Sequence, residues 1–190
     1  MIGILGMVFI VTFFMIIAVT IIIKLFTGTK ILVLGKRDKR ELVFGVFYLA
    51  LLYIILSNVI ALPMPETINK FFWNNEISRI LGIAFCSIGI LGFIVCVISF
   101  WNSVRIGIDY ENAGQLTTTG IYAMSRNPMY TSFYLIFFGE FLIFPNIGLS
   151  AALIVAFITF HITILKEEKF LKTYYGKDYE LYCKKVGRYF

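Results

Sequence analysis

Three stretches of the chain, residues 2–23, 42–62 and 80–101, contain no charged side chain. A fourth, residues 129–165, carries only one acid, Glu140, and one histidine, His161. About 20 apolar residues in a helix cross the hydrocarbon core of a bilayer, and a helix satisfies all its own backbone polar groups there. The fourth stretch is too long for one crossing. It contains Phe144-Pro145-Asn146, where proline and asparagine favour a turn over helix continuation. It therefore reads as helices over 129–144 and 147–165 joined by a tight hairpin. The expectation is an all-α integral membrane protein of five transmembrane helices, one domain over 1–190, with a tail from 166 to 190. A mean hydropathy of +0.87, with 59% hydrophobic residues, agrees with this and argues against an ordinary soluble domain.

The first run lacks a basic n-region and a small-residue cleavage site and exceeds a signal-peptide core in length, so a retained helix is expected. Lys24, Lys30, Lys36, Arg37, Lys39 and Arg40 follow it. Lys166, Lys169, Lys172, Lys177, Lys184, Lys185 and Arg188 crowd the tail. Basic residues favour the cytoplasmic side. With the N-terminus outside, only Lys70 and Arg79 of the 17 basic residues fall on the outer face, and the reverse orientation would leave only those two inside. The predicted topology is N-terminus outside and C-terminus cytoplasmic, in a bacterial or archaeal plasma membrane. The net charge of +6 then serves orientation and attraction to anionic membrane lipids, and no nucleic acid partner is needed to explain it. Cys86, Cys96 and Cys183 show no metal-ligand spacing, so neither a metal nor a disulfide is expected.

Polar information concentrates after Trp101. Residues 102–127 are too long for a tight turn, are rich in Gly, Thr and Asn, and alternate over 105–109 as a short extended piece would. Long loops of this kind often carry function, although a solvated connection would have a similar composition. In the tail, Phe170, Leu171, Tyr174 and Tyr175 share a helical face, and Gly176 suits a helix C-terminus. Tyr179, Tyr182 and Val186 mark a second short helix. Tyrosines among lysines suit a helix at a membrane surface. Glu167 and Glu168 do not, since two acids near a helix C-terminus are electrostatically unfavourable, unless Lys166 and Lys169 simply offset them in water.

A hairpin centred between Pro145 and Asn146 puts residues whose numbers sum to about 291 at equal depth. His161 then lies level with Tyr130, and Lys166 with Ser125. The single histidine, the segment Ser125-Arg126-Asn127-Pro128-Met129-Tyr130 and the double glutamate converge at the cytoplasmic level. Alone, His161 reads as a helix-end residue bonded to a neighbour. Glu140 falls near the outer interface, away from this cluster, and a structural role is expected for it although intramembrane acids are functional candidates.

Gly120-Ile121-Tyr122, then Arg126-x-Pro128-Met129-Tyr130, the hairpin, Glu167-Glu168-x-x-Leu171, and Tyr175-Gly176-x-x-Tyr179-x-x-Tyr182 resemble the isoprenylcysteine carboxyl methyltransferase and phospholipid methyltransferase superfamily. The resemblance covers roughly residues 101–190. It implies S-adenosylmethionine-dependent methyl transfer within the membrane, with the cofactor at the cytoplasmic end. Carried over residue by residue, it implies that Arg126, Pro128, Tyr130, Glu167 and Glu168 line the cofactor pocket, with Gly120 and Tyr122 shaping the loop. Asn127 stands where the family commonly has histidine. An Arg-Asn-Pro branch of the same superfamily has a histidine ahead of the double glutamate, as His161 stands here, which adds Asn127 and His161 to the cofactor-binding set. Asparagine keeps a donor and an acceptor but does not titrate near neutral pH.

The catalytic candidates are Arg126, His161 and Glu168. A glutamate favours a cationic group of the cofactor or accepts from its ribose. Arg126 pairs a carboxylate or holds an anionic substrate, and Arg188 is a further candidate for a substrate group. A carboxylate acceptor needs no base, whereas an amine or hydroxyl would use His161 or a glutamate. The expected substrate is a hydrophobic small molecule or lipid entering sideways between helices. Two competing readings are an NADPH-dependent membrane reductase of the sterol reductase type and a non-enzymatic scaffold. Nicotinamide binding in place of S-adenosylmethionine would mark the first, and indifference to substitution of Glu167, Arg126 and Asn127 the second. Oligomeric state is open.

Overall fold

The computed structural model describes residues 53, 54, 56, 57, 60, 62–99 and 116–190. The expected first span, most of the second and the extended piece at 105–109 lie outside these residues. The regular structure described is helical: α1 (Glu66–Asn69), α2 (Glu76–Ser99), a 3-10 turn (Gly120–Ala123), α3 (Pro128–Ile143), α4 (Ile147–Tyr175) and α5 (Lys177–Lys185). With 24 and 29 residues, α2 and α4 are long and apolar enough to cross a membrane. The apolar α3 has 16 residues, about 24 Å of helix.

Helices α2 and α3 pack backbone to backbone. A Cβ placed on Gly139 would lie 2.4 Å from Cys86 Sγ and 2.6 Å from the Gly82 carbonyl, and one on Gly89 would lie 2.7 Å from the Ser132 carbonyl. Close approach of this kind is what small residues provide where water cannot drive helix association. Ser78 Oγ donates to the Leu142 carbonyl at 2.7 Å and adds a polar tie.

The break between α3 and α4 falls where Pro145 and Asn146 predict it. Asn146 is fully buried and its Oδ1 accepts from the Leu149 N–H at 2.9 Å, capping α4. Phe144 seals the turn against Phe71, and the Phe72 N–H donates to the Pro145 carbonyl at 2.7 Å. The predicted register holds along the hairpin: Tyr134 OH donates to the Phe157 carbonyl, and the Tyr130 and Phe160 rings meet at 5.4 Å. Glu140 is buried on α3, and its Oε2 finds no hydrogen-bond partner among the described residues.

Three boundaries differ from the sequence reading. α2 starts at Glu76 rather than 80, because Asn75 Oδ1 accepts from the Ile77 N–H and opens the helix earlier. α4 does not stop at 165. Lys166-Glu167-Glu168-Lys169 are good helix formers, and nothing breaks the helix before Gly176. Gly176 has φ +56°, a left-handed conformation that favours glycine, and turns the chain into α5. Val186 caps α5 rather than continuing it.

Candidate functional site

The site lies at the open end of the α3–α4 hairpin, away from the turn. Pro128 is buried at the first turn of α3, where its missing N–H costs no helical bond. Arg126 and Asn127 precede it. α4 overruns α3 at this end, and this brings Glu167 and Glu168 alongside them.

Glu168 is 9% exposed and is the hub. Its Oε1 accepts from Arg126 Nε and Nη2 at 3.2 and 3.1 Å and from Asn127 Nδ2 at 3.0 Å. Its Oε2 accepts from Arg188 Nε and Nη2 at 3.0 and 2.8 Å. Burial alone would raise this carboxyl, but the Arg188 hydrogen bonds, the Arg126 charge and bonds, and Asn127 together hold it below the usual carboxylate range. Glu168 in turn holds the Arg188 guanidinium charged. Arg126 Nη1 donates to the Cys183 and Val186 carbonyls at 3.1 and 2.9 Å, tying the end of α5 to the start of α3.

Glu167 faces elsewhere. Its Oε1 accepts from Tyr130 OH at 2.9 Å, and no second hydrogen bond is made among the described residues. Burial pushes its carboxyl up to about 7, against the Tyr130 bond, which lowers it. Glu167 is close enough to Tyr122 to add to the rise in that phenol, which burial, Cys96 and Tyr182 also raise. Tyr122 is buried in the 3-10 turn, and its carbonyl accepts from Tyr182 OH at 2.7 Å. Gly120 opens that turn with φ +63°.

His161 reaches the predicted level but meets neither glutamate. Its Nδ1 lies 2.5 Å from the Tyr189 hydroxyl, and its ring stacks on Phe157. Three features were missed in the sequence: Tyr189, the hydroxyls of Ser125 and Thr131, and the main chain of residues 187–189. Ser125 Oγ donates to the Arg188 carbonyl at 3.2 Å, and Thr131 Oγ1 donates to the Tyr189 carbonyl at 3.3 Å. A carbonyl acceptor has no residue-type signature, so only the polar side chains opposite could have hinted at this.

Beside the polar cluster, between α3 and α4, lies an apolar cavity of about 560 Å³. Tyr134, Leu135, Phe138, Leu153, Ile154, Phe157, Ile158 and Phe190 line it. Thr131 and Tyr189 belong to both cavity and cluster. Among the described residues no group of His, Cys, Asp and Glu is arranged to hold a metal.

A half-buried carboxylate with one oxygen uncommitted among the described residues, beside an aromatic turn, suits a cationic ligand with hydroxyls to donate. The residues present therefore fit a sulfonium cofactor at Glu167, Tyr130 and Tyr122. The phospholipid methyltransferase family model matches residues 77–178, from the first turn of α2 into α5. Two rice proteins, from Oryza sativa subspecies indica and japonica, carry the name probable protein-S-isoprenylcysteine O-methyltransferase. Each is 28% identical to the chain over 142 residues, covering 74% of the chain and 73% of the relative.

Proposed function

The chain belongs to the phospholipid methyltransferase family, whose members use S-adenosylmethionine, and from that premise we propose that it methylates a hydrophobic, membrane-embedded acceptor at the cytoplasmic face. One observation carries this reading: the polar cluster and the apolar cavity share Thr131 and Tyr189. An acceptor with its chain in the cavity would bring its polar end to Tyr189 and His161. The names of the rice relatives point to a prenylated carboxylate and the family description to a phospholipid. The acceptor here is an isoprenoid- or lipid-type carboxylate, amine or hydroxyl.

When bound, the cofactor supplies an already activated methyl group, so the protein's work is positioning and exclusion of water. Glu167 offers a carboxylate to the cationic donor and draws its own proton equilibrium toward the charged form when paired. Tyr130 orients Glu167. Glu168 and Arg126 hold the start of α3, the end of α4 and the tail in one frame. Gly120, Tyr122 and Pro128 fix the loop that faces them. The His161–Tyr189 pair would take a proton from an amine or hydroxyl acceptor, a role supported by their contact, and would be idle with a carboxylate.

The test uses the purified full chain in lipid nanodiscs with radiolabelled S-adenosylmethionine. Retained label on the protein, and transfer into the lipid or small-molecule fraction of added membrane extract, is expected. Tight NADPH binding with no S-adenosylmethionine binding would overturn the reading.

A further inference from the structure

Val186 is extended, and the non-helical residues beyond it run back across the start of α3. The Arg126 N–H donates to the Gly187 carbonyl at 3.0 Å. Ser125 Oγ and Asn127 Nδ2 both donate to the Arg188 carbonyl at 3.2 Å, and Thr131 Oγ1 to the Tyr189 carbonyl. Arg188 takes Glu168 Oε2, and Tyr189 takes His161. Ser125, Arg126, Asn127, Thr131, His161 and Glu168 are thus all engaged by three residues of the chain itself, Gly187, Arg188 and Tyr189.

We propose that residues 187–190 are a displaceable strap over Glu168, next in sequence to the Glu167 that faces Tyr130, with Arg188 occupying on Glu168 the place of a second cationic or hydroxyl group of the ligand. This rests on the methyltransferase reading. The strap is held mainly through its own carbonyls and forms no helix, so lifting it breaks no helical hydrogen bond. Arg188 is 34% exposed at its side chain, and its guanidinium turns to water without crossing the core. At Gly187 the chain doubles back so tightly that a Cβ would lie 1.7 Å from the Phe190 carbonyl oxygen. A side chain there forces Phe190 out of its turn and loosens that end of the strap while leaving the ion pair's residues intact.

The experiment measures radiolabelled S-adenosylmethionine association with the full chain in nanodiscs. Arg188→Ala and Gly187→Ala should each bind about tenfold faster than wild type, because the closed population no longer taxes binding. A permanent pocket wall predicts unchanged or slower association with faster release, and that result overturns the strap. A second measurement places a fluorophore on Phe190→Cys in a Cys183→Ser background, where Cys86 and Cys96 are buried. Its anisotropy should fall when S-adenosylhomocysteine is added, and a rise overturns the proposal. If wild type and both variants bind no cofactor, the methyltransferase reading falls and the strap with it. Wild-type binding with unchanged association in the variants removes the strap alone.

Discussion

Replacing Glu168 with alanine should loosen the whole open end of the hairpin. The carboxylate takes five hydrogen bonds from Arg126, Asn127 and Arg188, and both it and Arg126 are close to fully buried. Breaking a buried ion pair by removing one partner costs roughly 3–5 kcal/mol. Arg188 is one-third exposed and recovers hydration, and Arg126 keeps the Cys183 and Val186 carbonyls, so the low end applies, about 3 kcal/mol. At roughly 2–4 °C per kcal/mol for a chain of this size, the melting temperature should fall by about 6–12 °C. A fluorogenic thiol dye in mild detergent reads this directly, because Cys86 and Cys96 are buried between α2 and its neighbours and react only on unfolding. Cys183→Ser removes the early signal. Arg188→Ala combined with Glu168→Ala should cost no more than Glu168→Ala alone, since the shared contact is already gone. A fall of less than 2 °C, or full additivity of the pair, would refute the idea that Glu168 is the hub. The carboxyl is held below its ordinary value of 4.5, so its contribution is present above that pH and is lost as pH falls through the folded value. The gap between wild type and variant should therefore close in acid.

Glu167 has the opposite sign. Its carboxyl is raised to about 7, so its contribution is present below 4.5 and is lost as pH rises through 7. Wild type should melt lower as pH rises across that window by circular dichroism, and Glu167→Gln should flatten the slope. Asn127→His keeps one N–H toward Glu168 or the Arg188 carbonyl but not both, so it should lose about 1 kcal/mol of stability by thermal melt while retaining radiolabelled S-adenosylmethionine. Gly139→Ala would press a Cβ onto Cys86 and the Gly82 carbonyl, and a loss of about 1–3 kcal/mol in detergent melts is expected.

The hairpin was legible because its cause is local: Pro145 ends one helix and Asn146 caps the next. From that single break the depth register followed, and the Tyr134–Phe157 contact falls on it. The family motif was legible in the order of Arg126, Pro128, Tyr130 and the acids. What those residues do to one another was not. The motif puts both Glu167 and Glu168 at the cofactor and only Glu168 among the catalytic candidates, yet adjacent residues on a helix point about 100° apart, and here Glu167 meets Tyr130 while Glu168 meets two arginines. Arg126 was expected to meet a carboxylate, and the one it meets belongs to the chain. The role of residues 187–189 was invisible because it runs through main-chain carbonyls. The length of α4 was underestimated because membrane thickness bounds the apolar part of a helix, not the helix.

That continuous α4 has a further consequence. The acid pair stands 20 and 21 positions beyond Ile147, about 30 Å along one unbroken rod anchored at the hairpin turn by buried Asn146. This is close to the thickness of a bilayer's hydrocarbon core. The rod is a ruler. In a thinner bilayer it lifts the acids clear of the headgroups, and in a thicker one it sinks or tilts them. Under the proposed function, the height at which an acceptor's head meets the site would then follow the acyl-chain length of the host membrane as much as any side chain in the cluster.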